Sequence, residues 1–282
     1  MVSVENLAFT AEAMFLSSDF QPTIEAVSVW DQRGTELAEP ADITERLLGA
    51  DGPGFALVRH TSAVRDWTDN ADVRGNYYEE VLQLVQQLVP GARWQQPYGH
   101  IYRNEEIHEH DFSNPDGALG PPAVAVHNDF ADDMTDGQLT APERKYPDVT
   151  NAPVPPGQRL VTLQLWRSVS AEPLARMPLM VCDRTSIDPA DLVYTPNPNA
   201  PTPFNMHSVR PNESQRWCYF SEQSSDEVLV FLGYDSDPPD RGVFRPTLHT
   251  AVDIPGSEGK HQRESLELRM NGYLPLPEPA KL

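Results

Sequence analysis

Leu160-Val161-Thr162-Leu163-Gln164-Leu165-Trp166-Arg167-Ser168-Val169 sets the architecture. Val161, Leu163 and Leu165 alternate with Thr162, Gln164 and Trp166, and a period of two puts the two sets on opposite faces of a β-strand. Shorter stretches of the same kind surround it, at 23–30, 54–60, 98–103, 123–127, 179–182, 217–220, 227–234 and 264–270. Only between 77 and 89 does the period change. There Tyr78, Val81, Leu82, Val85, Leu88 and Val89 share a helical face, and Pro90-Gly91 stops the helix. Such an aromatic and aliphatic stripe packs on a sheet.

Many short strands, frequent turn signals and one helical layer predict a mainly β sandwich or barrel with helices on its outside. The 28 prolines and 16 glycines agree with a chain of turns and ordered loops. Two intervals, 131–158 and 186–214, are rich in Pro, Asp and Asn, and loops of that length in a compact domain are usually functional. No repeat or linker divides the chain, so a single domain over 1–282 is expected.

The net charge of −21 repels phosphate backbones and anionic lipid heads, which argues against nucleic-acid and membrane partners. A protein this acidic that binds a dicarboxylate needs locally placed arginine. Cys182 and Cys218 form no C-x-x-C pair. The first 20 residues hold no Lys or Arg and three acids, unlike a signal peptide. No apolar run approaches the roughly 20 residues of a membrane span. A reducing cytoplasm is the expected location, and the sequence carries no signal for an oligomeric state.

The candidate chemistry begins at Val124-Ala125-Val126-His127-Asn128-Asp129. His127 and Asp129 stand at i and i+2 of a strand end, on one side of it, where both can chelate one ion. A distant histidine would complete a two-His-one-carboxylate facial triad with open positions. Alone, an H-x-D is a weak signal. It gains weight from His249 in Phe244-Arg245-Pro246-Thr247-Leu248-His249, followed by Arg263-Glu264-Ser265. Arg263 and Ser265 share a strand face, and a guanidinium fork beside a hydroxyl suits a carboxylate. H-x-D, a distant His and R-x-S, in that order, are found in 2-oxoglutarate-dependent oxygenases.

The resemblance extends further. Phe55-Ala56-Leu57-Val58-Arg59-His60, Trp166-Arg167-Ser168, Cys182-Asp183-Arg184-Thr185-Ser186, Trp217-Cys218-Tyr219-Phe220, Tyr234-Asp235-Ser236 and Arg263-Glu264-Ser265-Leu266-Glu267-Leu268-Arg269 resemble one group of these oxygenases. It includes the cephamycin 7α-hydroxylase component, fungal gibberellin desaturase-like proteins and a meroterpenoid endoperoxidase. Covering roughly residues 23–273, the resemblance implies a double-stranded β-helix (jelly roll, cupin-like) core, Fe(II) on His127, Asp129 and His249, 2-oxoglutarate on Arg263 and Ser265, and O2. It further implies oxidation of a small-molecule secondary metabolite by hydroxylation, desaturation or related C–H chemistry. Asp129 argues against halogenation, since related halogenases carry Gly or Ala there. The sequence departs from the group at Ser168 and at Ser221-Glu222-Gln223, where proline is usual.

Several residues compete for roles. Tyr98 and Tyr102 are candidate donors to 2-oxoglutarate. Arg167 has two open readings, a contact to the cosubstrate carboxylate or a pair with Asp183. Arg269 alternates with Arg263 and is its substitute should Arg263 prove exposed, while Arg103 reads as a strand-end charge. His108-Glu109-His110 is similar to the first motif of metal-binding cupins, but Asn114 and Pro115 stand where such a site needs an acid. A solvated loop is expected for it. His207 is expected in a solvated loop, His100 in the core and His261 at the surface. Trp166, Trp217, Tyr219 and Phe220 could line an apolar cavity. Two other classes stay open: a cupin-like metalloenzyme without 2-oxoglutarate, and a catalytically silent jelly-roll binding protein.

Overall fold

The computed structural model describes residues 7–97, 99–111, 113–114, 117–133, 154–196, 205–239 and 243–276. Tyr98, and parts of the intervals 131–158 and 186–214, lie outside the described residues. The strands run in chain order β1 (Leu7–Leu16), β2 (Pro22–Asp31), β3 (Phe55–Arg59), β4 (Arg93–Trp94), β5 (His100–Asn104), β6 (Ala118–Gly120) and β7 (Gln158–Ser168). They continue as β8 (Leu179–Cys182), β9 (Leu192–Pro196), β10 (Asn205–Val209), β11 (Trp217–Tyr219), β12 (Glu227–Asp235), β13 (His249–Ala251) and β14 (Glu264–Pro275). Helices α1 (Thr44–Leu48), α2 (Asn70–Asp72) and α3 (Tyr78–Leu88) all fall before β4, and a π-helical turn, Val73–Tyr77, leads into α3.

Two curled sheets face each other. One has the order β1-β2-β11-β8-β13, and the other β3-β12-β7-β14-β5-β6, with β4 beside β14. Between them lie Phe55, Leu57, Trp166, Val181, Cys218, Phe220, Leu229 and Phe231, all buried. This is the jelly-roll core, mainly β with flanking helices, that the sequence predicts.

The β7 strand is central to the second sheet. Its whole length beyond Gln158 is buried, because both of its faces are covered. Val161, Leu163 and Leu165 meet Leu266, Leu268, Met270 and the α3 residues Tyr78, Val81, Leu84, Val85 and Leu88 in the largest cluster. The buried stripe of α3 includes Leu84, whereas Leu82 is only partly buried. The opposite face of β7 carries Gln164, Trp166 and Ser168, paired in register with Arg269, Glu267 and Ser265 of β14. Cross-strand partners point to the same side of a sheet. The interior face of this ladder is therefore polar and charged, and the outer face aliphatic.

The 123–127 strand is a set of bridges rather than a regular strand. Val126 donates to Met14 O at 2.7 Å, His127 and His249 exchange backbone bonds at 3.1 and 2.8 Å, and Asn128 and His207 do so at 2.8 and 3.1 Å. The segment is thus stitched to β1, β13 and β10 at once, which fixes the histidine between three strands. The interval 186–214 is not all loop, since it contains the β9–β10 hairpin.

Candidate metal centre

His127, Asp129 and His249 each offer one ligand atom, and these atoms lie within 4.8 Å of one another. The antiparallel His127–His249 bridge produces this meeting: the rings stand 4.5 Å apart at 51°, and Asp129 follows two residues on. His127 Nδ1 lies 2.7 Å from Ala125 O, and His249 Nδ1 lies 3.2 Å from Thr247 O. A carbonyl only accepts, so each Nδ1 carries the proton and each Nε2 keeps its lone pair for an ion. Phe231 packs on His249 at 4.8 Å between ring centroids. Burial, then the neighbouring His127, push His249 down to about 4, leaving it neutral near pH 7, as a ligand must be. Burial alone would raise the Asp129 carboxyl, but Arg269, His127 and His249 outweigh it and hold the group well below the usual carboxylate range. Two imidazoles and one carboxylate, partly shielded from water, fit a divalent first-row metal.

On the same interior face sits Arg263, 1% exposed. Its Nε donates to Ser265 Oγ at 3.0 Å, its Nη1 donates to Met177 O at 3.0 Å, and its guanidinium lies 4.9 Å over the Trp166 ring. Among the described residues it has no ion-pair partner, since nearby Glu267 is gripped by Arg103 at 3.0 and 2.8 Å. Burial, then Arg103, lower its pKa to about 9, so it remains a cation at neutral pH. Along β7 the Gln164 Nε2, Trp166 Nε1 and Ser168 Oγ atoms are buried without hydrogen-bond partners. Buried donors without acceptors are rare in finished proteins unless a ligand completes them. An oxygen-rich dianion fits this cradle.

Two residues expected at the cosubstrate are placed elsewhere. Arg167 stands opposite Leu266 and so belongs to the helix-covered face. It packs over Trp67 at 4.8 Å and Tyr77 at 5.2 Å and donates to His60 O and Ser225 O. Its neighbour Trp166 is the one directed inward, and Asp183 pairs instead with Arg216 at 2.9 Å. Tyr102 shares the outer face for the same reason: it pairs with Leu266, and its hydroxyl donates to Glu264 at 2.7 Å. Ile101 and Arg103 are the residues of that strand on the interior face, opposite Glu267 and Ser265, and Arg103 is 7% exposed and no strand-end charge.

Other positions sort as follows. His100 is a satisfied core histidine between Tyr78 and Asn70, while His108, His110 and His261 are exposed and join no ligand cluster among the described residues. His207 is not solvated. It is 1% exposed on β10, with Nε2 at 3.2 Å from Asp132 and its backbone on Asn128 beside the ligands. Of the four aromatics, Trp166 and Phe220 face the interior, and Trp217 and Tyr219 pack under β1 against Phe15 and Phe9. Cys182 and Cys218 are buried free thiols. Sequence reasoning missed the Arg269–Asp129 and Arg103–Glu267 pairs, although the alternation Arg263, Ser265, Glu267, Arg269 carries the signal.

Comparison with known proteins gives the family. A family model described as oxidoreductase/YMDC permease-like domain matches residues 7–271. The chain belongs to this family and, by its relatives, to the iron(II)/2-oxoglutarate-dependent oxygenases. The alpha-ketoglutarate-dependent dioxygenase phiK from a fungal species is 28% identical, over 81% of this chain and 80% of that protein. The hydroxylase/desaturase efuI of Hormonema carpetanum is 30% identical, over 78% and 76%. The Fe(II)/2-oxoglutarate-dependent dioxygenase nvfI of Aspergillus novofumigatus is 30% identical, over 71% and 67%. A solved structure of the endoperoxidase NvfI superposes with a TM-score of 0.71 at 21% identity, over 95% of this chain and 98% of that one, a likeness of fold. The chain is a 2-oxoglutarate-dependent dioxygenase using Fe(II), 2-oxoglutarate and O2. No helix of the described residues is long and apolar enough to cross a membrane.

Proposed function

We propose that His127, Asp129 and His249 hold the iron, and that Arg263 with Ser265 receives the far carboxylate of 2-oxoglutarate, in an enzyme that hydroxylates or desaturates a small secondary metabolite. The observation that carries this is the pairing, on one interior face, of three convergent ligand atoms with a buried arginine whose guanidinium has no ion-pair partner among the described residues. When bound, iron would activate O2, the oxidant, whose four electrons come two from 2-oxoglutarate, released as succinate and carbon dioxide, and two from a substrate C–H bond.

The chain's own residues orient and exclude. Ala125 O and Thr247 O set the two imidazoles, and Arg269 sets Asp129. Arg263, supported by Ser265 and Trp166, neutralises a dianion inside an acidic protein, while Phe231, Leu229 and Phe220 keep the interior poor in water. Phe130, Tyr234 and Phe244 form a buried apolar cluster next to Asn128 and His207, which makes that rim the proposed neighbour of the substrate. The relatives named hydroxylase/desaturase support the reaction class. The charge of −21 supports a small-molecule partner over nucleic acid or membrane and, with two free thiols, a cytoplasmic setting.

The test is an anaerobic titration with iron(II) and then 2-oxoglutarate. A weak visible charge-transfer band is expected with the wild type and not with His249→Ala. Absence of the band from the wild type sinks the cosubstrate assignment.

A further inference from the structure

The two oxygens of the Asp129 carboxylate have different neighbours. Oδ1 lies 3.7 Å from His127 Nε2, toward the ligand cluster. Oδ2 is held by one edge of Arg269, with Nε at 2.9 Å and Nη2 at 2.7 Å. Arg269 is itself braced, since its Nη2 lies 3.8 Å from Glu267 Oε1. Arg103 fixes both oxygens of that glutamate. Arg103, Glu267, Arg269 and Asp129 thus form a chain of alternating charge along the interior face, ending on one oxygen of one ligand.

We propose that Arg269 is a positioning residue of the metal centre: by occupying Oδ2 it leaves Oδ1 alone for the ion and makes Asp129 a one-oxygen ligand. The proposal rests on reading the triad as the iron site. A free carboxylate turns about its last side-chain bond and can present both oxygens, which would take a coordination position needed by cosubstrate or oxygen. A guanidinium edge with two N–H groups on one oxygen stops that rotation, and partners of this kind commonly set how firmly a ligand holds its metal. The geometry also separates the two interior arginines. Arg269 turns its Nε edge to Asp129, whereas the Arg263 guanidinium donates to Ser265 and Met177 O and pairs with no carboxylate among the described residues.

The test uses full-length apo protein and Mn(II) titrated calorimetrically without oxygen, first alone and then, at metal saturation, with 2-oxoglutarate. Arg269→Gln should weaken Mn(II) binding by about 10- to 100-fold, the range seen when a ligand's supporting partner is removed. Arg269→Lys, which restores one donor and the charge, should recover part of that loss. The affinity of the metal-saturated protein for 2-oxoglutarate should not change in either variant. Mn(II) affinity equal to wild type in both variants overturns the proposal, whether or not the apo protein melts earlier. So does a loss confined to 2-oxoglutarate, which would make Arg269 a cosubstrate residue. If Arg269→Gln does not fold, the Lys variant decides: weaker Mn(II) binding at an unchanged apo melting temperature supports the proposal, and wild-type binding overturns it. Asp129→Ala separates the role of Arg269 from the site it serves, since a wild type and an Asp129→Ala variant that bind Mn(II) equally overturn the metal centre itself.

Discussion

Arg167 and Arg263 lie on opposite faces of one antiparallel ladder, both buried and neither with a carboxylate partner among the described residues. Their surroundings differ. Arg167 packs over the rings of Trp67 and Tyr77 and its Nη2 donates to the carbonyls of His60 and Ser225, while its Nε and Nη1 have no hydrogen-bond partner among the described residues. Arg263 has one ring, one carbonyl and one hydroxyl, and its face of the ladder continues through Glu267 to Arg269 and the ligand candidate Asp129. A buried cation is therefore not in itself a ligand site. What distinguishes the two is the face: Arg263 shares the interior face with Arg269, which holds Asp129, whereas Arg167 lies on the helix-covered face.

The comparison breaks most sharply at Arg263. Arg263→Ala should weaken 2-oxoglutarate binding at least about a hundredfold, on the order of 3 kcal/mol for a desolvated charge partner, with iron binding retained. Titration of the charge-transfer band measures both. An unchanged 2-oxoglutarate affinity would remove the functional half of the contrast. Arg167→Ala should do the reverse, costing about 2–3 kcal/mol of stability in denaturant unfolding through a cavity and two orphaned carbonyls, while 2-oxoglutarate affinity stays at wild type. A selective loss of cosubstrate affinity in this variant would return Arg167 to the site. The smallest effect sharpens the same boundary. Tyr102→Phe deletes one hydrogen bond to Glu264, worth about 1 kcal/mol of stability, and should leave cosubstrate binding untouched.

How much of this is legible in the sequence depends on range. The alternation in 160–169 and the 3.6-residue stripe of 77–89 are local patterns, and local patterns report which residues share a face. They yield β7 and α3 with only the helix's exact stripe adjusted, Leu84 joining and Leu82 receding. Spacing offers His127 and Asp129 as a pair, and the order along the chain, with His249 and R-x-S downstream, makes them a ligand set. The structure brings the three together through the cross-strand bridge at 127 and 249. What fails is direction. The sequence places Arg167 and Tyr102 at the cosubstrate, yet alternation says only that Trp166 and Arg167 point oppositely, not which of them points inward. It places His207 in solvent because its loop is rich in Pro and Asn, and pairing with Asn128 buries it instead.

The amino-acid sequence by itself determined the main elements, the three metal-ligand candidates and the R-x-S pair, because these follow from residue type, a period of two or 3.6, and the order of the motifs along the chain. Only the tertiary structure decided which face of the β7–β14 ladder is interior. That choice depends on where α3 lies and on how the two sheets curl toward each other, and both are set by contacts between segments far apart in the chain. With the face chosen, Arg263 and Arg269 became neighbours of the site and Arg167 part of its outer wall.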